Sequence, residues 1–208
     1  MTDRRDELRQ GAAQLGIELE DAAACKLLAF LDLLEKWNRA YNLTAIRDAG
    51  EAVARHLLDS LSILRFIGEG PVLDIGSGGG LPGIPFAICR PQQAVTLLDS
   101  NSKKTRFLNQ VRLELALDNL AVVHARIEAW RPGTPPRFIT SRAFASLRQM
   151  LDWCAHLLTP ETTIVAMKGR YPGDELDEIA DRKLSVAVEK VAIPGISGER
   201  HIVSIRGF

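Results

Sequence analysis

The chain has 208 residues, 46% of them hydrophobic and 25% charged, which is the composition of a globular protein with one sizeable core. Its 26 basic and 26 acidic residues leave no net charge, so a nucleic-acid partner would have to meet a local basic face. Nothing indicates a disulfide framework, a zinc site, a signal peptide or a membrane span, because the cysteines are far apart, the N-terminus is charged and no apolar run approaches about 20 residues.

The N-terminal part of the chain predicts helices. In residues 21–44 and again in residues 51–67, leucines and other apolar residues recur with the spacing of one helix face. Gly68 marks the end of the second run. We therefore predict an N-terminal helical extension over residues 1–70, followed by one compact domain over residues 71–208.

After the extension, short apolar runs alternate with amphipathic segments. The runs PVLDI, AVTLLD, LAVVHA, RFITSRA and TIVAMKG are typical of buried strands, with helices expected near residues 83–90, 102–117 and 147–158. LSVAVEKVAI and RHIVSIRG then predict a terminal hairpin. The alternation indicates an α/β fold with a Rossmann-like sheet of about seven strands, mostly parallel with an antiparallel edge.

A glycine-rich loop follows the first predicted strand, in the stretch VLDIGSGGGLPG. Three of its glycines fit G-x-G-x-x-G, and Asp99 ends the next strand, where a carboxylate can accept both ribose hydroxyls of a nucleoside. Asp74, directly under the loop, would repel a pyrophosphate. The loop therefore favours a cationic nucleoside without phosphates, such as S-adenosylmethionine, with contacts at Asp74, Gly76, Ser77, Gly78, Asp99 and Ser100.

Several longer segments resemble one bacterial family. VLDIGSGGGLPGIPFAI, VTLLDSNSKKTRFLNQV, ITSRAFASL and MKG, with YNLTAIRD and HLLDSL ahead of the sheet, are similar to the glucose-inhibited division protein B family from about Trp37 onward. The resemblance implies a class I methyltransferase that places a methyl from S-adenosylmethionine on N7 of a guanine in small-subunit (16S) ribosomal RNA. It also implies cofactor contacts at Gly76, Leu81, Ile127, Glu128 and Arg142. The chain carries little of the basic tail that some members have.

This chemistry needs no general base, because guanine N7 has a lone pair and no proton. Catalysis would rest on in-line positioning and electrostatics, and no residue is assigned as an acid or base. The candidates for positioning are Arg142, Arg126, Lys168 and Asn42. Asn42 is equally well explained as an N-cap or turn residue. Cys154, in an apolar helix, is interpreted as a core residue and not as a nucleophile.

Basic residues near the predicted carboxyl edge of the sheet are candidates for RNA binding. They are Lys103, Arg106, Arg126, Lys168, Arg200 and His201. A surface ion pair is the alternative for Arg142, and a structural role in the hairpin is the alternative for Arg200 and His201. We interpret His56 as structural, and the acidic segment GDELDEIADRK as a helix that faces solvent away from the site.

Three other functions remain open. The chain could methylate another RNA, a protein or a small molecule; it could be an NAD-dependent oxidoreductase, which Asp74 argues against; or it could bind RNA without catalysis. The sequence favours N7 methylation of a guanine in 16S ribosomal RNA by a cytoplasmic monomer that binds no metal and no membrane.

Overall fold

The computed structural model describes residues 3–46, 48 and 50–208. Two helices open the chain, α1 (Arg4–Gln14) and α2 (Asp21–Tyr41). A second helical stretch follows, with a π-helix at Val53–Leu58, the α-helical turn α3 at Asp59–Leu61 and a 3-10 helix at Ser62–Phe66. Both helical runs predicted from the leucine spacing are therefore confirmed.

The strands and remaining helices alternate along the chain. The strands are β1 (Val72–Ile75), β2 (Val95–Asp99), β3 (Leu120–His124), β4 (Phe138–Arg142), β5 (Thr163–Lys168), β6 (Ser185–Lys190) and β7 (His201–Arg206). The helices are α4 (Gly83–Cys89), α5 (Ser102–Glu114), α6 (Leu147–Cys154) and α7 (Gly173–Asp177), with 3-10 turns at Ile127–Ala129, Ala155–Leu157 and Ala180–Arg182.

The strands form one seven-stranded sheet in the order β3-β2-β1-β4-β5-β7-β6. Strands β1 to β5 pair in parallel, and β7 is antiparallel to both of its neighbours, β5 and β6. The predicted α/β sheet, mostly parallel with an antiparallel edge, is confirmed. The strand order reverses between β1 and β4, and ligands bind at the carboxyl ends of the strands beside such a reversal.

Two apolar clusters cover the two faces of the sheet. On one face the leucine stripe of α2, including Leu31, is buried with Phe86 of α4 and Phe107 of α5. On the other face Leu151 of α6 packs with Ile139 and other strand residues. Each fully buried side chain of this size contributes about 1.5–3 kcal/mol, so the helical extension is anchored by a core that it shares with the sheet.

Some helix bounds differ from the prediction. The helix expected over residues 102–117 ends at Glu114, and Ala116 beyond it has a φ of 47°. The acidic segment forms the five-residue α7 and a separate 3-10 turn instead of one helix. Within the described part of the chain, none of the helices is long and apolar enough to cross a membrane.

Candidate active site

The glycine loop leaves the carboxyl end of β1 and leads into α4. Gly76, with a φ of 63°, donates its N–H to the Leu98 carbonyl at 2.8 Å, which ties the loop to β2. A Cβ at Gly76 would lie 2.0 Å from Cδ2 of Phe144. Both the backbone conformation and the missing side chain at this position are therefore required to keep the loop and the Phe144 ring in place.

Asp74 lies behind the loop. Its Oδ2 accepts the Gly83 N–H at 3.1 Å, whereas Oδ1 is buried without a partner among the described residues. Burial raises the pKa of Asp74 to about 7, although the hydrogen bond from Gly83 opposes the rise. The carboxylate thus holds the start of α4 against the end of β1.

Three predicted cofactor contacts have buried side chains in this arrangement. Asp74 and Ser77 are buried, the Ser77 hydroxyl donating to the Asp74 carbonyl at 2.7 Å, and Leu81 packs in the core. They take part in folding the loop. None of the three lines the cavity in front of the loop that is described below, and their assignment as cofactor contacts stays a prediction.

Asp99, at the end of β2, is fixed by backbone groups. Its Oδ2 accepts the Gly78 N–H at 2.9 Å and its Oδ1 accepts the Asn101 N–H at 2.8 Å. Lys104 Nζ lies 3.8 Å from Oδ2. Each carboxylate oxygen keeps acceptor capacity beyond these bonds, so Asp99 can receive a pair of hydroxyl groups without moving.

Asp99 lines a cavity of about 480 Å³ in front of the loop, which we call the first cavity. This volume is within the range of small-molecule sites, about 300–1,000 Å³. Six predicted site residues line it: Gly76, Asp99, Ser100, Arg126, Ile127 and Glu128. Sequence reasoning assigned no cavity role to Asn101, Phe144 or Trp153, which also line it together with Lys104 of α5.

A second cavity of about 370 Å³ lies beside the first. Ala143, directly after β4 and with a φ of 52°, lines both. Four predicted site residues meet in the second cavity: Arg142, Lys168, Arg200 and His201. Thr44, Arg55 and Asp59 complete its wall from the helical extension. The predicted basic edge is thus a concave surface to which the extension contributes.

Ion pairs fix the basic groups of the second cavity. Asp59 Oδ2 accepts from Arg142 Nη1 at 3.0 Å, and Asp59 Oδ1 accepts from Arg200 Nε at 2.9 Å. Lys168 Nζ lies 2.7 Å from Glu175 Oε2. The expectation that the acidic segment faces solvent away from the site is wrong for Glu175, because the Lys168 side chain is only 15% exposed and such a charge requires a partner.

Several candidates lie outside the cavities. Asn42 is the exposed C-cap of α2 in the left-handed conformation, φ 49° and ψ 53°, so it ends the helix and reaches neither cavity. Its interpretation as a turn residue fits this geometry, and its assignment as a positioning residue stays a prediction. Lys103 and Arg106 are exposed on α5, outside both cavities. Arg142 does line a cavity, but it is the second cavity and not the first.

Two titratable groups near the site are buried and uncharged at physiological pH. Burial, with the nearby charge of Arg142, lowers the pKa of His56 to about 4, and its Nε2 lies 3.5 Å from Thr44 Oγ1. Burial raises the pKa of the Cys154 thiol to about 12. The histidine is therefore neutral and the thiol protonated at physiological pH, which agrees with a structural role for both.

The first cavity fits S-adenosylmethionine. Asp99 offers a carboxylate for ribose hydroxyls, and buried Ile127 gives an apolar wall of the kind that an adenine ring packs against. Gly76 lines the cavity with backbone alone, because the Phe144 ring occupies the place of a side chain there. No phosphate-binding arrangement is required.

The sheet order, the glycine loop and the carboxylate at the end of β2 define a class I methyltransferase. The fold is similar to a SAM dependent methyltransferase from Aquifex aeolicus, with a TM-score of 0.59 and 15% identity over 84% of this chain and 97% of that chain. It is also similar to magnesium protoporphyrin IX methyltransferase from Synechocystis with bound SAM, with a TM-score of 0.60 and 13% identity over 86% and 97% of the two chains. At these identities the likeness concerns the fold alone.

Sequence comparison then gives the family. The model of the family GidB, rRNA small subunit methyltransferase G, matches residues 23–203. Ribosomal RNA small subunit methyltransferase G of Ectopseudomonas mendocina is 55% identical over 97% of this chain and 95% of its own length. The protein of the same name in Pseudomonas aeruginosa is 52% identical over 97% and 94%. The chain belongs to the GidB family, as the resemblance in the sequence predicted.

Proposed function

We propose that this protein transfers a methyl group from S-adenosylmethionine to N7 of a specific guanine in 16S ribosomal RNA, by in-line attack without a general base. The observation that carries the proposal is the pair of adjoining cavities at the carboxyl edge of the sheet. One has the features of a site for a cationic nucleoside, and the other is lined by arginine and lysine side chains. Membership of a family named for methylation of small-subunit ribosomal RNA supports the substrate.

In the first cavity the protein binds and orients the cofactor. Asp99 accepts the ribose hydroxyls, and the N–H groups of Gly78 and Asn101 hold its carboxylate in one orientation. Ile127 would contact the base, and the backbone of Gly76, against which the Phe144 ring packs, would face the amino-acid end. When bound, the cofactor supplies a methyl group on a positively charged sulfur, which a nitrogen lone pair can attack directly.

In the second cavity the protein holds the RNA. Arginine and lysine are hydrogen-bond donors only, so Arg142, Lys168 and Arg200 suit phosphate oxygens and the O6 acceptor of guanine. N7 itself has to stay free for attack. Ala143 lies between the two cavities, and the reacting atoms therefore meet next to it. Holding both partners in line supplies the main rate enhancement, since no proton leaves N7.

We further propose that the protein works as a monomer in the cytoplasm, where ribosomal RNA is made in bacteria. Residues 1–70 then act as an extension that completes the site of the domain over residues 71–208. The placement of Arg55 and Asp59 from the extension in the second cavity supports this role of the extension.

The proposal is tested by transfer of labelled methyl from S-adenosylmethionine to small ribosomal subunits that lack the modification, followed by digestion and mass spectrometry. We expect label in 7-methylguanosine at one position of 16S ribosomal RNA. Purified 16S RNA, assayed in parallel, shows which form is the substrate. Label on another base or on a ribosomal protein would contradict the proposal. Intact cofactor binding without any label would mean that the substrate lies elsewhere.

A further inference from the structure

Asp59 connects three distant parts of the chain. It lies in the helical extension, where the π-helix meets α3, and its side chain is only 6% exposed. One carboxylate oxygen bonds Arg142 at the end of β4, and the other bonds Arg200 ahead of β7. The single buried acid thus holds two guanidinium groups side by side.

The local backbone supports this arrangement. The Asp59 N–H donates to the Ala54 carbonyl, five residues back, as the π-helix requires. The Arg55 carbonyl, four residues back, instead accepts a hydrogen bond from Arg142 Nη1 at 2.9 Å. The widened helical turn therefore gives Arg142 two acceptors, the Asp59 carboxylate and a backbone oxygen.

The cluster is positively charged and rich in donors. One carboxylate faces two guanidinium groups, whereas Lys168 and Arg55 have carboxylate partners of their own in Glu175 and Glu51. Arg142 Nη2 and Arg200 Nη2 donate to none of the residues that the structure describes. Arg142 and Arg200 are 20% and 22% exposed, and both line the second cavity.

We propose that Asp59 is a positioning residue that holds Arg142 and Arg200 as a two-armed receptor for a phosphate of the RNA strand carrying the target guanine. This rests on the proposed function. Two guanidinium groups on one carboxylate keep a net positive charge and at least two N–H donors, which matches an oxyanion. Without Asp59 the two like-charged groups repel each other, and each regains the side-chain freedom that binding would have to restrict.

The substitution Asp59→Asn separates positioning from simple charge attraction. It removes a negative charge from the RNA-binding cavity, so attraction alone predicts tighter RNA binding. Positioning predicts the opposite, because an amide oxygen can hold only one of the two guanidinium groups. We expect the KM for the ribosomal substrate to rise about tenfold, the effect of losing a charged hydrogen bond, with kcat changed much less.

The salt dependence of RNA binding separates a lost phosphate contact from a loss of protein stability, because lower stability alone would leave the salt dependence unchanged. For each phosphate contact, the slope of log binding constant against log salt concentration is about 0.7 for a single strand and 0.9 for a duplex. We expect Asp59→Asn to lose about one such contact. Asp152→Asn, which breaks the exposed Arg182–Asp152 pair outside both cavities, is the matched control and should behave as wild type.

Arg200→Gln keeps the test decisive if Asp59→Asn folds poorly, as judged by its melting temperature. It should raise the KM for the ribosomal substrate to a similar degree, and adding Asp59→Asn should then cost less than it does alone. An Asp59→Asn protein with unchanged or lower KM and an unchanged salt slope would overturn the assignment, as would an Arg200→Gln protein with wild-type KM. Absence of methyl transfer by the wild-type protein would instead overturn the proposed function.

Discussion

The two cavities are built in different ways. In the first, Asp99 is held by backbone N–H groups 21 and 2 residues away, in consecutive units of the sheet. In the second, Asp59 is joined to Arg142 and Arg200 across 83 and 141 residues, by side chains alone. The first is therefore a property of the strand-and-loop framework, and the second depends on the helical extension being docked. We expect cofactor binding and RNA binding to respond separately to substitution.

The largest effect is expected at Asp99. Asp99→Ala removes the acceptor for both ribose hydroxyls and the anchor of the Gly78 N–H. Two charged hydrogen bonds correspond to about a hundredfold loss of affinity for S-adenosylmethionine, measured by calorimetry. RNA affinity should change less than threefold, and Asp118→Ala, which removes an exposed carboxylate just before the start of β3, serves as control. A matching loss of RNA affinity would show that the cavities do not act separately.

Arg142→Ala tests the second cavity. The fold should stay intact, because the side chain is partly exposed, while methyl transfer falls about tenfold or more from the loss of a charged anchor. We expect the KM for the ribosomal substrate to rise more than the KM for S-adenosylmethionine. Arg182→Ala, which also loses an ion pair with an aspartate, is the control. Activity within about twofold of wild type would contradict a role for Arg142 in methyl transfer.

The two regions also differ in how buried groups respond to pH. The pKa of Asp74 is raised from 3.8 to about 7, so its contribution to stability is lost as the pH rises through that window. The pKa of His56 is lowered from 6.5 to about 4, so its contribution is lost as the pH falls through that window. Between about pH 4 and pH 6.5 the two trends oppose each other in the wild-type protein.

Removing either group should reveal the pH dependence of stability that the other group contributes. Asp74→Asn should make the free energy of unfolding fall more steeply toward acid, and His56→Gln should make it fall as the pH rises. Urea unfolding at several values between about pH 4.5 and pH 6.5 measures both, with Asp118→Asn as the control. If plots of the free energy of unfolding against pH are parallel for the wild-type protein and the three variants, neither group has the shifted pKa that the structure indicates.

The smallest effects are expected on α5. Lys103→Ala and Arg106→Ala change exposed residues outside both cavities, so each should weaken RNA binding by about twofold at most and leave cofactor affinity unchanged. Filter binding of 16S RNA at two salt concentrations measures this. A loss of RNA affinity as large as that of Arg200→Gln would indicate that the main RNA contact lies on α5 and not in the second cavity.

The sequence predicted the fold well, because strands and helices depend on local signals. Alternating apolar runs identified the strands, and the glycine loop with Asp99 predicted a nucleoside site where the structure has the first cavity. It did not show that the side chains of Asp74, Ser77 and Leu81 are buried, because a linear motif does not show which side chains turn behind a loop. It gave Asp59 no role, since its partners are distant along the chain. The one available signal was a lone acid within the apolar run VARHLLDSLSIL, which has to find a cation when buried.

The central claim is that this site works by positioning and moves no proton. The most direct test is the single-turnover rate of methyl transfer at saturating ribosomal substrate, measured from about pH 6.5 to pH 8.5. We predict a rate that is flat across this range, since N7 carries no proton to remove. A rate that rises about tenfold per pH unit before levelling off would contradict the account and would indicate a general base, with His201 in the second cavity the first residue to replace.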